Sequence, residues 1–262
     1  MPSIKDFSRL KEEGRKISMV TAYDYTSACI LNNSPIDALL VGDSASMVMH
    51  GHPTTVHATL EMMCWHTAAV SKGAPNKMVI ADMPFLAHRG NLNATMQAVD
   101  MLMKSGATAL KIEGANGSLK TIAHICESGV PIMGHLGLTP QSVHHLGGHT
   151  LQATTQSDAD ALLDNAHELE KAGVFALVLE MVPADLAKKV TDELSIPTIG
   201  IGAGPATSGQ VLVWQDLLGM NKDFSPRFLR TYLNGYSDIL NALNKFDADV
   251  KNREFPNREE SY

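Results

Sequence analysis

The stretch that decides the fold reads Ala107-Thr-Ala-Leu-Lys-Ile-Glu113, followed by a turn, a helical segment over residues 118–128, and Pro131-Ile-Met-Gly-His135. The two apolar runs have the length of parallel strands that are buried on both faces. The helical segment between them has the length of a crossover connection. This strand–helix–strand unit predicts a parallel sheet with helices packed outside it.

The same unit recurs along the chain. The runs interpreted as strands cover residues 17–24, 37–43, 77–82, 107–113, 131–135, 174–180, 197–202 and 211–216. Helices are predicted over residues 26–33, 59–72, 92–105, 118–128, 158–172 and 184–194, and a last one over about 226–250 with Pro226 in its first turn.

About eight such units in 262 residues predict an α/β fold of the (β/α)8 TIM barrel type. We expect a single domain over residues 1–262, with a C-terminal helical extension at about 226–250. The first helix is short, and the seventh unit leaves room only for a turn or one helical coil. A doubly wound open sheet is therefore the alternative.

Composition excludes several classes of protein. The chain carries 21 Lys+Arg against 28 Asp+Glu, a net charge of −7, which argues against nucleic acid as a partner. It has no apolar run of about 18 residues that could span a membrane, and its N-terminus lacks the apolar core of a signal peptide. Cys29, Cys64 and Cys126 form no CxxC pair. We expect a cytoplasmic protein with reduced cysteines that acts on small molecules.

Polar residues end most of the predicted strands. They are Asp24, Asp43, Asp82, Glu113, His135, Glu180 and Asp216, with Lys111 two residues before Glu113. In a barrel the carboxyl ends of the strands meet at one mouth, so we expect these side chains to converge. Several buried acids need a partner, and carboxylate oxygens favour Mg²⁺ over zinc.

Other interpretations of these residues stay open. An acid after a strand can simply cap the next helix, although Glu is a poor cap and Lys111 lies inside an apolar run. His144, His145 and His149 could hold zinc, but they lie around a Gly-rich loop with no cysteine nearby. The glycines at 200, 202 and 204 do not match the dinucleotide-binding pattern G-x-G-x-x-G.

Seven motifs in order carry a resemblance to a known family. They are Thr21-Ala-Tyr-Asp-Tyr25, Val41-Gly-Asp-Ser44, Ala81-Asp-Met-Pro-Phe85, Leu110-Lys-Ile-Glu-Gly114, Gly134-His-Leu-Gly-Leu-Thr-Pro-Gln-Ser142, Leu179-Glu-Met-Val-Pro183 and Ile199-Gly-Ile-Gly-Ala-Gly204. Together they resemble the ketopantoate hydroxymethyltransferases. The resemblance runs from about residue 21 to 216 and continues more loosely to Phe255-Pro.

The resemblance implies a (β/α)8 barrel, a Mg²⁺ ion and a homodecamer of two stacked pentamers. It also implies transfer of a hydroxymethyl group from 5,10-methylenetetrahydrofolate to 3-methyl-2-oxobutanoate. The product is 2-dehydropantoate, in the first committed step of pantothenate synthesis, which leads to coenzyme A.

The resemblance also assigns residues to roles. The metal-site acids are Asp43, Asp82 and Glu113, and the proton acceptor is Glu180. The residues implied to bind the keto acid are Asp43, Ser44, Asp82 and Lys111, with His135 close to it. These roles suit the chemistry, because loss of the proton beside the keto group leaves an enolate that a Lewis acid stabilises.

The chain departs from the usual family pattern at Ala45, Ser46, Pro205, Gln215 and Glu260. None of these positions is one of the three metal-site acids. Two rival functions remain. The first is a class I aldolase with Lys111 as its Schiff-base lysine, although the surrounding carboxylates would raise the pKa of that lysine. The second is an inactive barrel that serves as a scaffold.

Overall fold

Eight parallel strands pair in chain order and close into a barrel. The computed structural model describes residues 3–262. The strands are β1 (Ile17–Thr21), β2 (Ala38–Val41), β3 (Met78–Asp82), β4 (Ala109–Glu113), β5 (Ile132–Gly137), β6 (Ala176–Glu180), β7 (Thr198–Ile201) and β8 (Gly209–Leu212). The closed barrel confirms the predicted (β/α)8 fold and rules out the open sheet.

Helices lie between most of the strands. They are α1 (Ile4–Glu12), α2 (Tyr25–Asn32), α3 (Ala45–Val48), α4 (Leu60–Gly73), α5 (Leu92–Lys104), α6 (Leu119–Glu127), α7 (Val143–Leu146), α8 (Gln156–Lys171), α9 (Ala184–Glu193), α10 (Trp214–Leu217) and α11 (Gly235–Lys251). Three 3-10 turns cover Thr55–His57, Pro140–Ser142 and Arg258–Glu260. The connection from β7 to β8 is a turn, as predicted.

The barrel closes where β8 pairs with β1. Ile17 lies opposite Gly209, and Val20 lies opposite Leu212. A Cβ atom at residue 209 would come within 2.4 Å of the carbonyl oxygen of Ile17, so only glycine allows the two strands to approach this closely.

Aliphatic side chains fill the barrel up to its carboxyl-terminal layer. They come from alternate positions along the strands and include Met19, Leu40, Ile80, Ala109, Met133, Val178 and Ile199. A residue two positions further along a strand points to the same side. That step leads from these core residues to Asp82 on β3, Lys111 and Glu113 on β4, His135 on β5 and Glu180 on β6. The inward-facing positions are therefore apolar in the core and polar at the carboxyl ends of the strands.

The first helix was not predicted from the sequence. On α1, Phe7 and Leu10 are buried and join the barrel core, and the Phe7 ring meets Phe175 edge-on at 5.6 Å. Its remaining residues are mostly charged or polar, so only a narrow apolar stripe marks it as a helix.

Two predicted elements have different bounds in the structure. β8 ends at Leu212, so Asp216 lies on α10 and does not end a strand. The last helix begins at Gly235, nine residues after Pro226. The segment before it is held by other bonds, since the amides of Tyr232 and Gly235 donate to carbonyls of α10 and the residue after it.

The chain divides into two compact units. One extends to Leu212 and contains the barrel, and the other, Val213–Tyr262, contains α10 and α11. The single-domain organisation over residues 1–262 stays a prediction. Among residues 3–262, no helix is long and apolar enough to cross a membrane.

Candidate active site

Lys111 lies at the centre of a buried cluster of charged groups. Its Nζ is 3.2 Å from Oδ1 of Asp82, 3.6 Å from Oε1 of Glu113 and 3.1 Å from Nδ1 of His135. Each of these side chains is at most 5% exposed. Lys111 is thus an internal counter-ion for acids on two neighbouring strands.

Asp43 and Ser44 reach the same layer from the loop after β2. The backbone amide of Asp43 donates to Oδ2 of Asp82 at 3.0 Å, which fixes the two aspartates relative to each other. The hydroxyl of Ser44 lies 2.8 Å from that of Tyr23, a buried residue that follows β1. The end of β1 thereby orients Ser44.

Gln141 ties the acids together, although no role was predicted for it. Its backbone amide donates to Oε2 of Glu113 at 3.0 Å, and its Nε2 donates to Oδ2 of Asp43 at 2.8 Å. The same Nε2 also donates to the carbonyl of Met83 at 2.9 Å. The 3-10 turn Pro140–Ser142 presents both donors at once. The only signal in the sequence is that Gln141 belongs to one of the quoted motifs.

His135 and Glu180 form the edge of the cluster. Nε2 of His135 lies 3.2 Å from Oε2 of Glu180, and Nδ1 lies 3.3 Å from Oε1 of Glu113. The Glu180 side chain is 20% exposed, against 3% for Asp82 and 4% for Glu113. Glu180 is therefore the acid through which the cluster meets the opening of the barrel.

The environment moves the pKa values of these groups in opposite directions. Burial alone would lower the pKa of Lys111, but attraction to Asp82, Glu113 and Asp43 outweighs burial and raises it. Burial raises the pKa of Asp43 well above its usual range, and repulsion by Asp82 and Glu113 adds to the rise. Burial also opposes ionisation of Glu113, yet Lys111 and His135 lower the pKa of that carboxyl overall. The ammonium of Lys111 thus stays charged, whereas burial and the neighbouring acids disfavour ionisation of Asp43.

The residues predicted for the site come together: Asp43, Ser44, Asp82, Lys111, Glu113, His135 and Glu180. Asp24 instead caps α2, where its Oδ1 accepts from the amide of Ser27 at 2.9 Å. The N-cap interpretation therefore holds for Asp24. His144 and His145 lie in the last turn of the short helix α7.

The acids suit a divalent cation. Oδ1 of Asp82 and Oε1 of Glu113 are buried and accept no hydrogen bond of regular geometry, although Lys111 is within ion-pair distance of both. A cation would also remove the unfavourable burial of charge at Asp43. Residues 3–262 contain no three His, Cys, Asp or Glu side chains already grouped as metal ligands. Mg²⁺ commonly takes only one or two protein carboxylates, because water and substrate oxygens complete its shell.

His88 is a buried neutral histidine next to the site. It is 2% exposed, and within residues 3–262 neither ring nitrogen has a hydrogen-bond partner of regular geometry. Burial, together with the nearby charge of Arg89, lowers the pKa of His88 to about 4. An unfolded histidine binds a proton below about pH 6.5, whereas the folded protein resists this until about pH 4.

The unfolded state of the chain thus gains a proton at His88 before the folded state does, and stability falls as the pH drops through this window. Between pH 7 and pH 5 we expect His88 to cost the protein about 2 kcal/mol of unfolding free energy. The replacement His88→Leu removes this part of the pH dependence, as urea unfolding at both pH values would measure. The exposed His124→Leu is the matched control. An unchanged pH dependence in His88→Leu would contradict the expectation.

Comparison with known proteins places the chain in a family. The profile of the ketopantoate hydroxymethyltransferase family matches residues 2–258. A 3-methyl-2-oxobutanoate hydroxymethyltransferase of Coxiella burnetii strain RSA 493 is 54% identical over 255 residues, which cover 97% of this chain and 96% of the relative. The enzyme of that name from Legionella pneumophila strain Paris is 50% identical over 260 residues, 99% of each chain.

Solved structures share the fold at much lower identity. A 2,3-dimethylmalate lyase of the PEP mutase/isocitrate lyase superfamily matches with a TM-score of 0.63 at 16% identity, over 100% of this chain and 89% of its own. A phosphoenolpyruvate phosphomutase from Streptomyces platensis subsp. rosaceus matches with a TM-score of 0.63 at 13% identity, over 96% and 88% of the two chains. These two structural similarities show that the barrel fold is shared, and nothing more. The family profile and the two close relatives show that the chain belongs to the ketopantoate hydroxymethyltransferase family.

Proposed function

We propose that this chain transfers a hydroxymethyl group from 5,10-methylenetetrahydrofolate to 3-methyl-2-oxobutanoate. The product is 2-dehydropantoate, and one water molecule supplies the hydroxyl oxygen as the carbon–nitrogen bond to the folate breaks. The observation that best supports this reaction is the buried cluster of Asp43, Asp82, Glu113 and Lys111. At the edge of this cluster, the partly exposed Glu180 lies at the opening of the barrel. The names of the close relatives support the same reaction.

In this proposal Asp43, Asp82 and Glu113 hold Mg²⁺. When bound, the cation supplies a Lewis acid that stabilises negative charge on the keto oxygen of the substrate. Gln141 keeps Asp43 and Glu113 in fixed positions through its two donors, so the acids need not rearrange when the substrate arrives.

Lys111 holds the substrate in place. Its ammonium remains charged in the cluster and can donate to the carboxylate of the keto acid. Ser44, oriented by Tyr23, offers a second polar contact at the same mouth. These groups orient the substrate so that its C3–H bond faces Glu180.

Glu180 takes the proton from C3 of the keto acid. The electron pair of the C3–H bond then forms the carbon–carbon double bond of the enolate, and the charge moves to the keto oxygen. His135 lies 3.2 Å from Glu180 and limits how its carboxylate can turn. The enolate carbon attacks the methylene carbon of the folate, and the first carbon–nitrogen bond breaks as that nitrogen takes the proton held by Glu180. Water then displaces the second folate nitrogen from the same carbon, so that the water oxygen becomes the hydroxyl group and a water proton goes to the leaving amine.

Proton exchange tests this reaction without any folate. In D₂O with the whole enzyme and Mg²⁺, we expect the C3 proton signal of 3-methyl-2-oxobutanoate to disappear from the NMR spectrum. With EDTA in place of Mg²⁺, the signal should persist. Absence of exchange with Mg²⁺ present would overturn the proposed chemistry.

The two rival functions give different results. A Schiff-base aldolase needs a lysine with a lowered pKa, whereas the acids raise the pKa of Lys111. Borohydride with the keto acid would trap a covalent adduct only in that mechanism. A scaffold barrel would give neither exchange nor turnover when both substrates are supplied.

We also propose that the chain forms a homo-oligomer, and family resemblance implies that this assembly is a homodecamer. We propose that it acts in the cytoplasm. The apolar face of α11 supports the assembly. Its side chains recur at helical spacing and are 40–59% exposed: Tyr236, Ile239, Leu240, Leu243, Phe246 and Val250. A continuous exposed apolar face of this kind is typical of a surface that another chain covers.

A charge on this face should break the assembly. We expect Leu243→Glu to lower the molar mass measured by size-exclusion chromatography with light scattering. Asn241→Glu adds the same charge on the polar side of α11 and should leave the mass unchanged. Equal masses for both variants would remove α11 from the interface.

A further inference from the structure

Two pairs of histidines lie on and beside the loop that follows α3, and the proposed reaction gives none of them a role. In the first pair, Nε2 of His50 on the loop lies 2.9 Å from Nε2 of His66 on α4. His50 is exposed and His66 is half-buried, so solvent reaches the pair. Imidazole is the commonest metal ligand among protein side chains, and here two imidazole nitrogens face each other.

A backbone carbonyl sets the tautomer of His66. Nδ1 of His66 is hydrogen-bonded to the carbonyl oxygen of Tyr23, a buried residue. Because a carbonyl oxygen only accepts, Nδ1 carries the hydrogen, and the lone pair of the neutral ring lies on Nε2. Metal-binding histidines commonly donate their other nitrogen to a carbonyl in this way, since the bond fixes both the ring and its tautomer.

The two rings of the first pair converge on one point. Their centroids are 5.2 Å apart and their planes are inclined at 77°, so the rings meet edge to edge at their Nε2 atoms. Without an ion, the Nε2 hydrogen of His50 lies between the two nitrogens. Neutral His50 can carry that hydrogen on Nδ1 instead, which leaves both Nε2 lone pairs for an ion.

The distance between the two nitrogens indicates the class of ion. Metal–nitrogen bonds of about 2.0–2.1 Å hold two nitrogens about 2.9 Å apart at a right angle, and about 3.3 Å apart at a tetrahedral angle. The observed 2.9 Å corresponds to the right angle. Neighbouring ligands at right angles are typical of Cu²⁺ and Ni²⁺, whereas zinc prefers the tetrahedron and Mg²⁺ prefers oxygen ligands.

The second pair, His52 and His57, lacks this geometry. Its rings are stacked, with centroids 4.7 Å apart and planes only 4° apart. Because nitrogen lone pairs lie in the plane of the ring, two parallel stacked rings cannot direct them at one ion. His52 is an exposed histidine two residues from His50 on the same loop, so it provides a matched control.

We propose that His50 and His66 bind a divalent ion of the later first-row transition metals, of the Cu²⁺ and Ni²⁺ class, at a site separate from the acid cluster. The pair supplies two ligands and water the others, since residues 3–262 hold no group of three His, Cys, Asp or Glu side chains suited to one ion. The site is connected to the barrel mouth through Tyr23, whose hydroxyl lies 2.8 Å from that of Ser44.

Electron paramagnetic resonance with Cu²⁺ tests the pair directly, because the spectrum reports how many nitrogens bind the ion. One equivalent of Cu²⁺ would be added to the whole protein, with excess Mg²⁺ present to compete for the acid cluster. We expect the wild type to show two nitrogen ligands. His50→Gln should lose this signature and bind Cu²⁺ about 10–100-fold more weakly. His52→Gln should keep both the signature and the affinity.

His66→Gln gives a second test on the other ligand, and it should lose the two-nitrogen signature as His50→Gln does. A wild-type spectrum with oxygen ligands alone would overturn the site. So would a two-nitrogen spectrum that survives in either of these variants. Equal loss in His52→Gln and His50→Gln would show that the loop histidines bind copper without the predicted geometry, which also contradicts the proposal.

Discussion

Replacement of Glu180 by glutamine is expected to reduce exchange of the C3 proton of the keto acid by about 10²–10⁴-fold. Glutamine has the same size and can still meet His135, but its amide cannot take a proton. Binding of the keto acid should persist, because Lys111 and the acids around it are intact. NMR exchange rates in D₂O, with calorimetry for binding, measure the two effects separately.

Glu127→Gln makes the same chemical change on the exposed end of α6, so it should exchange at the wild-type rate. Exchange at the wild-type rate in Glu180→Gln would remove Glu180 from the role of proton acceptor. Loss of keto-acid binding in that variant would assign Glu180 to substrate binding instead.

Replacement of Lys111 by methionine is expected to cost about 3–5 kcal/mol of unfolding free energy at pH 7. The variant keeps the apolar stem but leaves Asp82 and Glu113 buried without their shared cation. It should also fail to bind the keto acid. Urea unfolding in EDTA measures the stability with no metal to compensate.

The unfolding free energy of Lys111→Met should depend on pH in the opposite sense to the contribution that Glu113 makes in the wild type. With Lys111 present, the pKa of Glu113 is lowered, so its contribution to stability is present above the unfolded pKa and is lost as the pH falls through the folded pKa. Without Lys111, burial raises the pKa values of the acids, and the folded state takes up protons first. Relative to the wild type, the stability of the variant should therefore rise as the pH falls from 7 towards the unfolded pKa of a carboxyl, about 4.

Lys104→Met is the control for this change. Its ammonium pairs with Asp100 at 2.7 Å on the surface, and both side chains are more than half exposed. Such a pair contributes about 0–1 kcal/mol. If Lys111→Met were no less stable than Lys104→Met, Lys111 would not be the counter-ion of the cluster.

The barrel and most of its charged layer could be predicted because one periodicity encodes both. In the run 107–113, alternation brings Ala109, Lys111 and Glu113 to the inner face, and the same rule applies to Asp82 and His135. A lysine that lies between buried aliphatic residues needs an oppositely charged partner that is buried as well. Local pattern was therefore sufficient for these positions.

Other positions depend on contacts that no local pattern contains. Gln141 acquires its role from acids that lie on other loops, so its sequence neighbours do not indicate it. β8 begins at Gly209, a residue that disfavours strands in isolation and is selected here by its close approach to Ile17. The family departure at Ser46 is also understood only in three dimensions, since its hydroxyl donates to the carbonyl of Thr54 at 3.0 Å and holds the loop after α3.

The pairing of Ile17 with Gly209 has a consequence for how the protein is made. The two strands are among the first and the last parts of the barrel to leave the ribosome. Until Gly209 has emerged, the growing sheet exposes the edge of β1 and that of its newest strand, and unpaired edges are sites of misassociation. Contacts between such distant parts of a chain also form slowly. Synthesis of this enzyme therefore includes a vulnerable interval that ends only when the eighth strand is complete.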